Sequence, residues 1–190
     1  MMWNYFSTSP AIFVAERFLN ETAMFDAAML LVDTWALEQD HERRSSYRYS
    51  ELPRGGMGPA SAYTGMSWSG YRPSDDPQTY SYNIPVNMYA VGASKRALTI
   101  NERVWRSQRF AAAATRPATD MRAGIEAQGI VTHKDGSKSY AYEVDGLGGV
   151  LSEFDDQRAQ PAVHSLVGLP SLRPGHLCKY ARADFIWLCS

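Results

Sequence analysis

Three pairs of carboxylates stand out along the chain: Asp75-Asp76, Glu143 with Asp145, and Asp155-Asp156. Each lies in or beside a segment rich in Gly, Pro or Ser, and Trp68, Tyr71, Tyr80, Tyr82 and Tyr142 are close to them in sequence. Carboxylates in loops can act as general acid and base, bind a cation, or accept hydrogen bonds from sugar hydroxyls. Aromatic rings beside them suit carbohydrate, whose C–H faces stack while its hydroxyls seek acceptors. Plainer roles compete, since a single Asp is commonly a turn or cap residue. One acidic pair alone would be read that way; three pairs interleaved with aromatics are read as a candidate site.

Adjacent aspartates can divide two roles between them. Both resist being ionised together, and Arg72 nearby can hold one of them charged. Pro73 biases Arg72 towards extended backbone, and continued alternation would put Arg72, Ser74 and Asp76 on one side. Asp76 is then the expected ionised partner of Arg72, and Asp75 the acid candidate.

Other chemistries lack their signatures. Gly146-x-Gly148 is followed by Leu151 where a dinucleotide fingerprint needs its third Gly. No Gly-x-Ser-x-Gly elbow occurs, and His41, His133, His164 and His176 are scattered without metal-ligand spacing. A calcium site made from the acidic loops is a weaker reading, because no EF-hand pattern is present. The two cysteines, Cys178 and Cys189, are too few and too late for a disulfide framework. With a net charge of −1 and no basic run longer than Arg43-Arg44, the footprint for nucleic acid is missing. The longest uncharged stretch, 77–94, carries Ser, Asn, Tyr and Pro rather than a membrane-spanning apolar run. Residues 1–15 offer no positive n-region, so no signal peptide is expected. Asn20-Glu21-Thr22 fits a glycosylation acceptor but is read as a helix boundary.

These candidates must be held by a mostly helical frame. Phe25, Ala28, Met29, Val32 and Trp35 are spaced as one buried stripe, predicting a helix over 25–44 with Thr22 as cap, Asp26 in the first turn and Arg43-Arg44 at its end. Pro85 suits the first turn of a second helix reaching Leu98. Thr99-Ile100-Asn101-Glu102 reads as a capping box for a third, ending near Gly129 and interrupted at Pro117. Between the first two helices, 51–84 follows neither period; its aromatics argue for an ordered, functional loop. Residues 130–133 and 138–144 flank Lys134-Asp135-Gly136-Ser137 as a hairpin, with Tyr140, Tyr142 and Val144 on one face and Ala141, Glu143 and Asp145 on the other.

Tyr63-Thr64-Gly65-Met66-Ser67-Trp68-Ser69-Gly70-Tyr71-Arg72-Pro73-Ser74-Asp75-Asp76, followed by Ile84-Pro85-Val86-Asn87-Met88-Tyr89-Ala90-Val91, resembles the central motif of the metal-independent exo-α-mannosidases of glycoside hydrolase family 125. Tyr140-Ala141-Tyr142-Glu143-Val144-Asp145-Gly146-Leu147-Gly148 is similar to that family's second motif. Glu38-Gln39-Asp40-His41 with Tyr47-Arg48-Tyr49 matches the stretch before the first, and the likeness covers about residues 10–170.

The resemblance implies a mainly α fold, a partial (α/α)6 toroid with a small β-hairpin, in a domain over 1–170 followed by an unrecognised tail over 171–190. It implies single-displacement hydrolysis of a terminal α-linked mannose of a glycan, the 1,6 linkage being expected, with no metal and no cofactor. Catalysis would fall to Asp75 and Asp76. Trp68 or Tyr71 would form a stacking wall, and Arg72, Glu143, Asp145, Asp155 and Asp156 would be hydroxyl ligands or supports. After Asp156 the chain reads Gln157-Arg158-Ala159-Gln160-Pro161-Ala162, where the family runs Ala-Asn-x-Pro-Ser. The family's opening Trp-Arg-Asp motif and its closing segment with the base glutamate are not found here. Six helical hairpins need about twelve helices, so the middle of a larger enzyme is expected, inactive when isolated. The rival expectation is a carbohydrate-binding remnant without catalysis; compartment and oligomeric state are left open by the sequence.

Overall fold

The computed structural model describes residues 12–152, which are mainly helical with two small antiparallel sheets. Asp155, Asp156, Cys178, Cys189 and the 171–190 tail lie outside the described residues. Among the described residues the principal helices are α1 (Ile12–Leu19), α2 (Thr22–Glu38), the short α3 (His41–Arg44), α4 (Ile84–Ile100) and α5 (Gln108–Gln128). No helix among them is long and apolar enough to cross a membrane.

The stripe on α2 forms as its spacing predicts. Ala28, Met29 and Val32 are buried against Phe110 and Ala114 of α5, with Phe25 and Trp35 packed at the edge. The helix is shorter than expected, however. It starts at Thr22 after Glu21, leaving no acidic residue in its first turn, and it stops at Glu38. Arg43 belongs to the separate turn α3, where it grips Asp40 with two hydrogen bonds of 2.9 and 3.0 Å.

Helix α4 opens as read, with Pro85 in its first turn and the Asn83 side chain accepting from the Val86 amide at 3.0 Å. The expected capping box does not form. Ile100 and Asn101 are buried, so packing carries the helix through them into a π-helical turn (Asn101–Trp105). The break falls at Arg106, in left-handed conformation (φ 51°), and Ser107 caps α5 by accepting from the Phe110 amide. Asn101 holds this corner with hydrogen bonds to both Ser107 backbone groups. Helix α5 runs through Pro117 without interruption and ends at Gly129. Gln39 stitches it to the end of α2 by donating to the Pro117 carbonyl at 3.1 Å.

The five strands among the described residues are short: β1 (Tyr82–Asn83), β2 (Ile130–Thr132), β3 (Lys138–Tyr140), β4 (Glu143–Val144) and β5 (Val150–Leu151). The hairpin exists as β2–β3, Ile130 opposite Tyr140, but it does not continue to Val144. The chain leaves the pairing at Ala141 and Tyr142, and β4 becomes the centre of a second sheet, Asn83 opposite Glu143 on one side and Leu151 opposite Glu143 on the other. The expected two-faced alternation fails because both sides are packed: Tyr140, Ala141, Glu143 and Val144 are all buried.

The long segment after α3 is ordered and lies across one end of the helices. The Trp68 amide donates to the Glu38 carbonyl at the end of α2, and Ser67 is bound at the start of α4. Gly124 of α5 lies against the Thr64 carbonyl, where a Cβ would collide. Gly129 at the end of α5 lies beside Ile84 at the start of α4, so these helix ends meet.

Candidate active site

Residues 70–78 form a small hairpin over these helix ends. Tyr71 bridges Pro77, the Gln78 amide donates to Gly70, and the Arg72 amide donates to the Asp76 carbonyl at 2.8 Å. Its tip carries Asp75 and Asp76, both exposed. Asp75 has φ 65°, a conformation Asp tolerates better than most residues, and Ser74 donates to an Asp76 carboxylate oxygen at 2.9 Å.

The partner of Arg72 is not Asp76 but Glu143. Arg72 Nε donates to Glu143 Oε1 at 2.6 Å, and the Thr79 and Tyr80 amides donate to Oε2 at 2.9 and 3.0 Å. The Glu143 side chain has no exposed surface, and Arg72 keeps only 11%. This hydrogen bond holds the guanidinium further above its ordinary range, with the Asp76 charge the last of the contributors. Alternation placed Ser74 with Asp76 correctly but not Arg72, because a buried carboxylate that needs a cation draws it inward. The guanidinium also lies 5.9 Å from the Tyr142 ring centre.

Asp145 Oδ1 accepts from the Leu147 and Gly149 amides at 2.7 and 2.8 Å, closing the Gly-rich turn. Trp68 is only 6% exposed, and His41 stacks on it at 3.6 Å with the planes 5° apart. It belongs to the core, together with Tyr82. Tyr71 is half-buried, its hydroxyl donating to Glu51 at 3.4 Å, and partial desolvation followed by the Glu51 charge pushes its phenol above the ordinary range. The structure thus joins Arg72, Glu143 and Tyr142 beneath the Asp75-Asp76 turn.

Sequence reading assigned no role to the network under this site. His41 Nε2 faces the Met57 carbonyl at 2.9 Å and must carry a proton there, while Nδ1 lies 2.5 Å from Glu38. Ser45 donates to the other Glu38 oxygen at 2.6 Å. Asn87, 1% exposed, accepts from the Ser67 amide and donates to the Ser67 carbonyl, acting as a strand partner for the loop. Their signal was position: Glu38, His41 and Asn87 all fall inside the quoted motifs.

The family model described as "Metal-independent alpha-mannosidase (GH125)" matches residues 7–177. The chain belongs to the GH125 family. One relative is the meiotically up-regulated gene 157 protein of Schizosaccharomyces pombe, 36% identical over 116 residues, covering 60% of this chain and 21% of that protein. A solved structure of a Streptococcus pneumoniae metal-independent α-mannosidase, in a non-productive complex with α-1,6-mannobiose, superposes with a TM-score of 0.61 at 35% identity. That likeness covers 73% of this chain and 36% of the pneumococcal one. The GH125 segment described here therefore spans about a fifth of the first relative and about a third of the second.

Proposed function

We propose that this chain forms the acid-bearing part of an inverting, metal-independent exo-α-mannosidase acting on a terminal α-1,6-linked mannose of a glycan, within an (α/α)6 toroid. The observation that carries this reading is the GH125 match over 7–177, which includes the exposed Asp75-Asp76 turn and its Arg72–Glu143 anchor. Inverting hydrolysis needs a protonated carboxyl at the leaving oxygen and an opposed carboxylate activating water. In this reading Asp75 is the acid and Asp76 the neighbouring charge that orients it, with Tyr71 as a stacking wall. Glu143 supports the acidic turn and Asp145 the Gly-rich turn that follows it, since their oxygens already serve backbone and guanidinium donors. Asp155 and Asp156 remain proposed hydroxyl ligands. The opposed base is assigned to none of the described residues, so the isolated chain binds mannosides and does not turn them over.

The test is titration and hydrolysis of α-1,6-mannobiose by the purified chain, with and without chelator. Binding without mannose release is expected, and loss of binding in Asp75→Asn with Asp76→Asn. No binding by the unsubstituted chain would overturn the reading; metal-independent release would place the base inside this chain. A binding module without catalysis is the second reading, favoured by the structural engagement of Glu143 and Asp145. Restoring turnover by adding the remainder of a GH125 sequence would exclude it.

A further inference from the structure

We propose that Asn20 is the acceptor of an N-linked glycan, a modification site at the corner between α1 and α2. The proposal does not depend on the mannosidase reading. Asn20-Glu21-Thr22 fits the acceptor pattern, and no other asparagine of the chain is followed two positions on by Ser or Thr. A pattern this short needs support from the fold.

The competing role is that of a helix boundary, where Asn or Thr would cap α2. The boundary is present, but neither side chain caps it. Glu21 occupies the cap position without a side-chain hydrogen bond, and Asn20 and Thr22, both residue types suited to capping, stand on either side of it. The Asn20 carboxamide and the Thr22 hydroxyl have no hydrogen-bond partner among the described residues. Residues 20–22 are all exposed. Their spacing thus serves no contact within the fold, whereas an acceptor needs an accessible carboxamide with a hydroxyl two residues on.

The backbone behind Asn20 is held. Leu19 is 1% exposed and its carbonyl accepts from Trp105 Nε1 at 2.7 Å, while the Asn20 amide donates to the Glu16 carbonyl at 2.9 Å. Asn20 also lines an open cleft of about 400 Å³ with Glu16, Arg17, Arg103 and Val104. That leaves room beside the carboxamide for a first sugar, with charged groups near its hydroxyls and acetamide. From Thr22, α2 runs 17 residues before Glu38 accepts from the Trp68 amide under the candidate site. At 1.5 Å per residue this is about 25 Å. A glycan at Asn20 therefore leaves the acidic hairpin open.

In the transfer, Asn20 Nδ2 bonds to C1 of the N-acetylglucosamine that ends a lipid-diphosphate oligosaccharide. The C1–O bond to the diphosphate breaks, the lipid diphosphate leaves, and Nδ2 gives up one proton to the transferase. The reaction belongs to the secretory lumen, so the experiment delivers the chain there.

The whole chain is translated behind a cleavable secretory leader in the presence of microsomes. Leader-cleaved, protease-protected chain should gain the mass of one glycan, removable by peptide N-glycosidase with deamidation at Asn20. Asn20→Gln and Thr22→Ala should each abolish the gain, and Thr22→Ser should retain it. Asp135→Asn, which places Asn-Gly-Ser in the exposed hairpin turn, is the control for the machinery and should add a second glycan. Translocated chain without a glycan at Asn20 overturns the proposal, whether or not the control turn is filled. A mass gain that survives Asn20→Gln overturns it as well.

Discussion

Arg72 and Glu143, 71 positions apart, are joined by a 2.6 Å hydrogen bond that ties the acidic hairpin to the central strand of the β1–β4–β5 sheet. Glu143 also satisfies two backbone amides, so its removal strands three donors in a site closed to water.

Glu143→Ala should therefore lower stability by about 3–5 kcal/mol, the range for breaking a buried pair from one side. Glu143→Gln, which keeps an oxygen for the amides, should lose about 1–3 kcal/mol. Urea unfolding of both variants measures the difference. Equal, small losses would mean that the carboxylate is not the anchor of the loop.

Asn87 gives a second test, because its amide bonds both backbone groups of Ser67 and also donates to the Asn83 carbonyl at 2.9 Å. Asn87→Leu keeps the approximate volume and removes all three bonds. It should destabilise by about 2–4 kcal/mol, from the desolvation of unpaired backbone groups. Hydrogen exchange at Ser67 should accelerate alongside, whereas an unchanged Ser67 exchange rate would deny the strand-partner role.

What the sequence revealed followed from local rules. Pro85 marked the start of α4, Gly129 the end of α5, and the aromatics of 51–84 an ordered loop, because each signal acts within a few residues. The capping box at Thr99 was locally sound and lost to tertiary packing, since Ile100 and Asn101 are buried and the helix must pass through them. For Asp145 the sequence leaves hydroxyl ligand and support both open, and its place before Gly-x-Gly also announces the turn it closes. The Arg72–Glu143 pair was not legible, because contact between distant segments leaves no periodic mark on either. Family motifs brought Glu38, His41 and Asn87 into view without showing that His41 and Asn87 bind loop backbone and that Glu38 ties His41 to Ser45.

Acid should weaken the protein partly through Glu42. Arg54 grips its carboxylate with hydrogen bonds of 2.5 and 2.8 Å, and this pairing outweighs burial to hold Glu42 below the usual glutamate value of 4.5. A lowered folded value means that the stabilisation is complete above pH 4.5 and is lost as pH falls through the lowered value. The stability difference between the unsubstituted protein and Glu42→Gln should be largest near neutrality and vanish at strongly acidic pH. Chemical unfolding across that range checks it, and a difference that grows towards acid would reverse the sign of the coupling.

The two faces of α2 should respond oppositely to the same kind of substitution. Met29 and Val32 of the apolar stripe are buried against α5, and the apolar residues turned outward are Leu30 and Leu31, at 69% and 47% exposure. Met29→Ala removes packed volume from a closed cluster and should destabilise by about 2–5 kcal/mol. Leu30→Ala removes a side chain already in solvent and should change stability by less than about 0.5 kcal/mol. Neighbouring exposed leucines can still drive association between molecules. Sedimentation velocity should therefore show concentration-dependent self-association that Leu30→Lys with Leu31→Glu abolishes without shifting the thermal midpoint appreciably. A large midpoint drop in Leu30→Ala would mean that this face is covered within the folded chain. Association unchanged in the charged pair would move the sticky surface elsewhere.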